Sequence, residues 1–348
     1  MVTAYQKYYE AIHVKATRKT YQIYIKKFLD YTKEDYDSLV KLPQSQIEDL
    51  VFNYVIHLKD LTERTGKPSP NSYNTMISPI KLFLDMNDIL LNWVKIKKYF
   101  PVKKPVANQL PYTDDDAREL LGATTSVRNK AFIHFLAATG CRVGAIPKLT
   151  IEDVKPIEEG AIITIYKDTT EEYRTCLTPE AYYHLKKYLS QRINTNTESP
   201  LFTTKNNVDF LSLDAAGDVI RHIRKQAKLT VDFGRKSTKG KSQNHAFRKR
   251  FSLCLANADI QSKFIEYMMG HYEKQDRHYF KPSDEDLWFQ YKKAIKILTL
   301  DKSEAMKHEL EQKKIIIDDY EKRLQEKVSE IENRYEGVIG ALETEVWV

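Results

Sequence analysis

The stretch from Asn244 to Pro282 holds two histidines, an arginine and a tyrosine at spacings that suit phosphodiester chemistry. His245 and Arg248 are three residues apart, so on a helix they project from one face, about 5 to 6 Å apart at Cβ. Both side chains then reach a single phosphate. Taken alone, a helical His-x-x-Arg pair is more often a solvated face or a cap, so the rest of the chain must supply the partners.

A second histidine and a tyrosine follow this pair. Gly270, between Met269 and His271, suits a helix C-cap and predicts a sharp turn after the apolar segment FIEYMM. Tyr279 then falls in a short polar segment closed by a proline. We expect this tyrosine to be exposed and mobile, as a nucleophile must be.

Two cationic residues precede the stretch. Arg142 follows the break Thr139-Gly140 at the end of an apolar helix, a position that aims its side chain. The segment AIITIYKDTTEEYRTCL predicts a β-hairpin whose first strand ends near Lys167 and whose return strand runs over 173–177. Lys167 would then lie beside the tip of the hairpin.

The elements that position these residues fall into four segments. Residues 1–98 are predicted to form a small domain of three helices, the second of which starts after an N-cap at Ser45. Residues 99–112 are predicted to form a basic extended linker. Residues 113–300 predict a second domain that opens at the N-cap Thr113. Residues 301–348 carry a heptad pattern. The predicted fold class is mainly α with a small β-hairpin.

The charge distribution predicts a polyanionic partner. The 348 residues carry a net charge of +7, but residues 301–348 hold 13 acidic against 8 basic residues, so residues 1–300 carry +12. Residues 221–250 contain 11 lysines and arginines against the single Asp232. Such a basic block favours nucleic-acid binding. The alternative is a solvated loop, because GRKSTKGKSQN is rich in Gly, Ser and Lys.

Composition excludes several other classes. The sequence has no apolar run of 18 residues and no secretory leader, so we expect no membrane span and a cytoplasmic, nucleoid-associated protein. Cys141, Cys176 and Cys254 lack any metal-ligand spacing, which predicts reduced structural thiols and no zinc.

Six residues in chain order resemble the signature of the tyrosine recombinase (integrase) family: Arg142, Lys167, His245, Arg248, His271 and Tyr279. The resemblance covers residues 113–298. Residues 1–98 resemble the helical core-binding domain of that family less specifically. The segment YFKPSDEDL is similar to archaeal members.

The resemblance implies a role for each residue. Arg142 and Arg248 would hold the non-bridging oxygens of the scissile phosphate, because guanidinium groups are bidentate donors of fixed charge. His245 and His271 would complete this cage and assist proton transfer.

The resemblance also implies the course of the reaction. Tyr279 would attack phosphorus to give a 3′-phosphotyrosyl enzyme, and Lys167 would protonate the leaving 5′ oxygen. No metal and no cofactor would be needed, and double-stranded DNA would be bound by a homo-oligomer, a tetramer in the synapse. The implied function is a site-specific recombinase, most simply the integrase of a mobile element.

Two departures from the family pattern occur. Ala145 stands where the family usually has an acidic residue, three positions after the first arginine. The distance from His271 to Tyr279 is also about one residue shorter than the family pattern. A topoisomerase of type IB and a catalytically silent DNA-binding derivative remain alternatives, whereas no acidic cluster supports a metal-dependent nuclease. The sequence leaves the DNA site open, and also the choice between integration, excision and dimer resolution.

The tail from residue 303 predicts a self-associating helix. Apolar residues recur every seven positions, at Leu310, Ile317, Leu324, Ile331 and Val338. Its acidic balance argues against contact with DNA. The alternative is a single charged helix that folds back on the preceding domain.

Overall fold

The computed structural model describes residues 2–104, 110–193, 195–204, 209–227, 243–271, 280–301, 317 and 320–329. The chain divides into two compact units, Met1–Ala107 and Asn108–Val348. Across the described residues, no helix has the length and apolarity that a membrane crossing requires.

The first unit is helical and contains its own hydrophobic core. Its helices are α1 (Ala4–Glu10), α2 (Lys15–Thr32), α3 (Tyr36–Leu39), α4 (Gln44–Thr65), α5 (Tyr73–Asp85) and α6 (Trp93–Lys97). The three predicted helices correspond to α2, α4 and α5, while the other three are too short for a periodic pattern to show them. The predicted N-cap Ser45 is wrong, because Pro43 occupies that position and α4 starts at Gln44.

Between residues 114 and 298, the second unit joins eight α-helices and a small sheet in the described residues. Its helices are α7 (Asp114–Gly122), α8 (Val127–Thr139), α9 (Pro179–Leu189), α10 (Leu213–Gln226), α11 (Gln243–Asn257), α12 (Ser262–Met269), α13 (Asp284–Lys292) and α14 (Ile295–Leu298). The Thr113 side chain accepts from the backbone of Asp116 in a capping box, which confirms the predicted start. Helix α8 is buried on all sides from Ala131 to Thr139 and forms the centre of the unit.

The sheet contains β1 (Val154–Ile157), β2 (Gly160–Ile165) and β3 (Tyr173–Leu177) in antiparallel order β1-β2-β3. The predicted hairpin is β2 and β3, in a register that pairs Ile165 with Tyr173. Strand β1 was not predicted, because its proline at position 156 argues against a central strand. An edge strand tolerates that proline, since one side of it pairs with nothing. The prediction of a mainly helical fold with a small sheet is confirmed.

Helices α8 and α12 both end at a glycine in the left-handed conformation, Gly140 at φ +56° and Gly270 at φ +61°. A Cβ atom at Gly140 would lie 2.4 Å from the Phe251 ring, and one at Gly270 would lie 2.6 Å from the Tyr173 ring. Both the backbone conformation and the close approach therefore require glycine. The C-cap predicted at Gly270 is confirmed.

A buried carboxylate binds the chain where it leaves α14, at residues 300 and 301. Glu180, 7 % exposed on α9, accepts hydrogen bonds from the backbone N–H groups of Leu300 at 2.9 Å and Asp301 at 2.8 Å. Its carboxylate also lies 3.5 Å from Nδ1 of His134. Burial alone would raise the pKa of Glu180, but His134 and the two N–H groups bring it below the ordinary value.

We expect Glu180→Gln to lower the free energy of unfolding by about 2 to 3 kcal/mol, since charged hydrogen bonds are strong and the new amide N–H₂ faces backbone donors. Denaturant unfolding measures this change. Glu119→Gln, at an exposed position of α7, is the control and should change stability by less than about 0.5 kcal/mol. Equal effects of the two variants would contradict a stabilising role for Glu180.

A pH effect on stability follows from His184. Its ring stacks on His134 at 4.0 Å, and burial, followed by His134, lowers the pKa of His184 to about 4, with Lys187 and Lys130 acting in the same direction and Glu180 against it. The unfolded chain, with a histidine pKa of about 6.5, then takes up the proton first. The contribution of His184 to the free energy of unfolding therefore has its full value above pH 6.5 and is lost as the pH falls towards 4.

We expect His184→Gln to flatten the loss of unfolding free energy between pH 6.5 and 4, as measured by denaturant titration at each pH. His222→Gln, on the exposed side of α10, should leave that slope as it is.

Candidate active site

Arg248 is the centre of the site and is only 5 % exposed. Its Nη1 donates to the carbonyl oxygen of Gly140 at 2.8 Å, and its Nη2 donates to the carbonyl of Met269 and to Nε2 of His271, the latter at 2.8 Å. One guanidinium therefore joins the C-terminal ends of α8 and α12. These contacts span 108 and 21 residues of sequence.

The location of this cation has an electrostatic reason. The C-terminal end of a helix carries a partial negative charge and carbonyls without intrahelical partners. Burial lowers the pKa of Arg248, yet guanidinium remains charged at any ordinary pH. Two helix ends and their carbonyls thus stabilise a buried positive charge, and the contacts within the described part of the chain occupy three of its five N–H donors.

His271 lies just after the Gly270 cap and is exposed on one side. Because an arginine only donates, Nε2 of His271 accepts and the proton of the neutral ring resides on Nδ1, 3.6 Å from Oε2 of Glu266. Burial, then Arg248 and Arg142, lower the pKa of His271, whereas Glu266 raises it. The ring is therefore neutral at pH 7.

His245 lies one turn before Arg248 on α11, and this confirms that a helix carries both residues. Burial, followed by Arg248, Arg142 and Lys249, lowers the pKa of His245. Arg142 is the extended residue that precedes a 3₁₀ helix, Val143–Lys148. The structure therefore brings Arg142, His245, Arg248 and His271 into one electropositive cluster.

Lys167 does not join this cluster in the structure. It lies in the exposed turn after β2, where its Nζ is 3.0 Å from Oε1 of Glu152, and both side chains are 42 % exposed. The hydrogen bond to Glu152 raises the pKa of Lys167. An exposed pair of this kind contributes little to stability, so it breaks readily when a stronger partner arrives.

The remaining sequence predictions concern Tyr279, Ala145 and the three cysteines. Tyr279, the predicted nucleophile, lies outside the described residues. Ala145 is fully buried in the core of the second unit, with no solvent reaching it. The cysteines are free and buried, and burial raises the pKa of Cys141 to about 11, which makes this thiol unreactive at neutral pH.

The structure adds residues that sequence reasoning missed. Glu152 binds Lys167 and Glu266 lies 3.6 Å from His271, but acidic residues at these positions have no recognisable pattern. Tyr173 lies beside Arg248, and its only sequence signal is its place at the start of the predicted return strand. Among the residues that the structure describes, no group of three His, Cys, Asp or Glu side chains is arranged to hold a metal ion.

Comparison with known proteins identifies the family of this chain. Residues 112–285, half of the chain, match the phage integrase family. No curated protein sequence matches the chain significantly. The chain belongs to the phage integrase family, and it is a tyrosine-type site-specific DNA recombinase.

Solved structures show the same fold at low sequence identity. The Tn1549 transposon integrase (residues 82–397) in complex with circular intermediate DNA is 15 % identical, with a TM-score of 0.55 over 83 % of this chain and 99 % of that one. A lambda integrase (75–356) dimer bound to a COC′ core site is 15 % identical, with a TM-score of 0.51 over 79 % and 94 %. The XerH recombinase in a post-cleavage complex with a palindromic difH substrate is 16 % identical, with a TM-score of 0.50 over 76 % of each chain.

Proposed function

We propose that this recombinase cleaves and rejoins double-stranded DNA through a 3′-phosphotyrosyl intermediate, without a metal ion, as the integrase of a mobile element. The observation that carries the proposal is the buried Arg248, bound at two helix ends beside Arg142, His245 and His271. Two guanidinium groups and two imidazoles supply the positive charge and the hydrogen-bond donors that binding of a phosphodiester requires.

Each group has a proposed part in the reaction. Arg142 and Arg248 bind the non-bridging oxygens and offset the charge that develops at phosphorus, which is the work a metal ion performs in other enzymes. His245 and His271 complete the cage, and a neutral imidazole accepts the proton of the Tyr279 hydroxyl. Tyr279 then attacks phosphorus, the bond to the 5′ oxygen breaks, and Lys167 gives that oxygen a proton. Rejoining is the same sequence in reverse, so the phosphodiester energy is retained.

The charge distribution and the relatives support the proposed partners. Residues 1–300 carry a net charge of +12, which favours binding to the DNA backbone. The Tn1549 and lambda integrases are both described in complex with DNA, the latter as a dimer. We propose that residues 1–98 are a core-binding domain that clamps DNA and that residues 113–300 are the catalytic domain, joined by the basic linker 99–112. The active assembly is proposed to be a tetramer at the nucleoid, in the cytoplasm.

The tail from residue 301 is proposed to assist this assembly. Residues 320–329 are helical and exposed, and the heptad residues among those described, Ile317 and Leu324, are 53 % and 65 % exposed. Apolar side chains at heptad spacing on an exposed helix favour pairing with another helix. The other predicted heptad residues lie outside the described part of the chain.

Trapping of covalent adducts tests the proposed function. The protein is incubated with a library of duplexes whose central region is randomised, and DNA that stays attached after denaturation is sequenced. We expect adducts at the 3′ phosphate of one defined sequence. Adducts spread over arbitrary sequences, together with relaxation of any supercoiled plasmid, would indicate the topoisomerase alternative. Binding without adducts would indicate the silent derivative.

Lys167→Ala should slow cleavage by about 100-fold or more on normal DNA, since general acid catalysis contributes at least that much. On a duplex whose 5′ bridging oxygen is sulfur, we expect a loss of less than about fivefold, because a thiolate leaves without protonation. Single-turnover rates on both substrates measure the difference. Lys155→Ala, at an exposed lysine on β1, is the control. Equal losses on both substrates would leave Lys167 as a phosphate contact only.

A further inference from the structure

Tyr173 is the most unusual group near the candidate site. Its side chain is 2 % exposed, and within the described part of the chain its hydroxyl is sealed from solvent and makes no hydrogen bond. A buried hydroxyl without a partner costs free energy, so its retention calls for an explanation.

The surroundings of Tyr173 place it against Arg248. Tyr173 begins β3, and its ring packs so closely on Gly270 that a Cβ atom there would lie 2.6 Å from the ring. Arg248 donates to the residues on either side of Gly270, namely Met269 and His271. The ring therefore lies next to the point where the guanidinium is bound.

Electrostatics agree with this placement. Burial raises the pKa of Tyr173 far above its ordinary value, so the hydroxyl keeps its proton, and Arg248 and Arg142 act in the opposite direction. In turn, burial lowers the pKa of Arg248, whereas Tyr173, whose hydroxyl is near enough to act on the guanidinium both through charge and as a hydrogen-bonding group, raises it. The neutral hydroxyl thus lies within reach of a cation that, in the described residues, is bound at hydrogen-bond distance by other groups.

The number of donors on Arg248 indicates what the hydroxyl is for. A guanidinium has five N–H donors, and within the described residues three of them are bound, to Gly140, Met269 and His271. A bidentate phosphate takes two. In the proposed function His271 also turns to the phosphate, and this releases one N–H of Arg248 inside the protein. That donor then needs a buried acceptor.

We propose that Tyr173 is a positioning residue for Arg248, because its hydroxyl oxygen accepts the N–H that His271 releases when the scissile phosphate binds. The sealed hydroxyl does not touch DNA and acts through Arg248. Tyr173 keeps the guanidinium in one orientation while both remaining donors face the phosphate. The inference rests on the proposed function, since it requires the cluster to bind a phosphodiester.

Tyr173→Phe tests this inference, because it removes the oxygen and retains the ring that packs on Gly270. At saturating concentrations of the duplex selected in the adduct experiment, we expect the single-turnover cleavage rate to fall by about 10- to 100-fold, since the lost hydrogen bond involves a charged group. DNA affinity should change by less than about twofold. The thermal midpoint should not fall, because the oxygen makes no hydrogen bond among the residues that the structure describes.

A matched control exists in the same unit. Tyr112 is also 2 % exposed, its buried hydroxyl makes no hydrogen bond among the described residues, and its ring packs on Phe247. Burial raises the pKa of Tyr112 to about 12, with Arg224 acting against this shift and Asp116 adding to it. Tyr112→Phe should leave the cleavage rate within about twofold. In free Tyr173→Phe protein, the ¹⁵N signals of His271 should match those of the unsubstituted protein.

Three outcomes of the rate and stability measurements would overturn the inference. One is an unchanged cleavage rate in Tyr173→Phe, another is a rate loss that tracks a fall in the thermal midpoint, and the third is an equal rate loss in Tyr112→Phe. Altered ¹⁵N signals of His271 in the free variant would also overturn it, since they would show that the Tyr173 hydroxyl already affects the site before the phosphate binds. Absence of adducts with the unsubstituted protein would instead contradict the proposed function itself.

Discussion

The Tyr279→Phe variant is expected to lose covalent adduct formation by at least about 1,000-fold while its affinity for DNA stays within about twofold. The hydroxyl is the proposed nucleophile and no other group replaces it, whereas binding depends on the cationic residues and the basic surface. Denaturing electrophoresis of the protein with its selected duplex measures the adduct. A gel-shift titration of the same mixture measures the affinity.

Tyr272 is the natural control for this experiment, since it follows His271 directly and lies in the same polar segment. Tyr272→Phe should form adducts at a rate within about threefold of the unsubstituted protein. The opposite pattern, with Tyr272→Phe inactive and Tyr279→Phe active, would show that the assignment of the nucleophile is wrong. It would leave the roles of the two arginines unaffected.

The Arg248→Lys variant is expected to lower the cleavage rate by about 100- to 1,000-fold and the free energy of unfolding by about 3 kcal/mol. Lysine retains the charge but not the planar set of five donors, so it cannot join two helix ends and also bind a phosphate bidentately. Burial makes the lost hydrogen bonds costly. Single-turnover cleavage and denaturant unfolding measure the two effects.

Arg250 is the control that separates the effect on cleavage from the effect on stability. It lies on the same helix as Arg248 and is also buried, at 2 % exposure. Its guanidinium donates to Asp114 at 2.7 Å and to the carbonyl of Ile297 at 3.0 Å, away from the candidate site. Arg250→Lys should cost a similar amount of stability and leave cleavage at 25 °C within about threefold. If it slowed cleavage as much as Arg248→Lys does, lost stability would explain both variants.

Local sequence signals predicted much of the fold and the composition of the site. Gly140 and Gly270 mark helix ends because an L side chain strains the left-handed conformation, and the hairpin follows from two apolar runs that flank a polar turn. The short helices α1, α3 and α6 and the edge strand β1 escaped prediction, since four to seven residues carry too little periodicity. The spacing of His245 and Arg248 fits one helical turn, and both residues lie on α11.

Contacts between distant residues were decided by the tertiary structure alone. The sequence by itself determined which cationic groups are present, their order along the chain and the helix ends that carry them. Only the fold shows that Arg248 binds Gly140 and Met269, that Glu152 holds Lys167, and that a buried tyrosine lies beside the guanidinium. The physical reason is that a hydrogen bond across 108 residues leaves no local pattern, because its geometry is set by how buried helices pack.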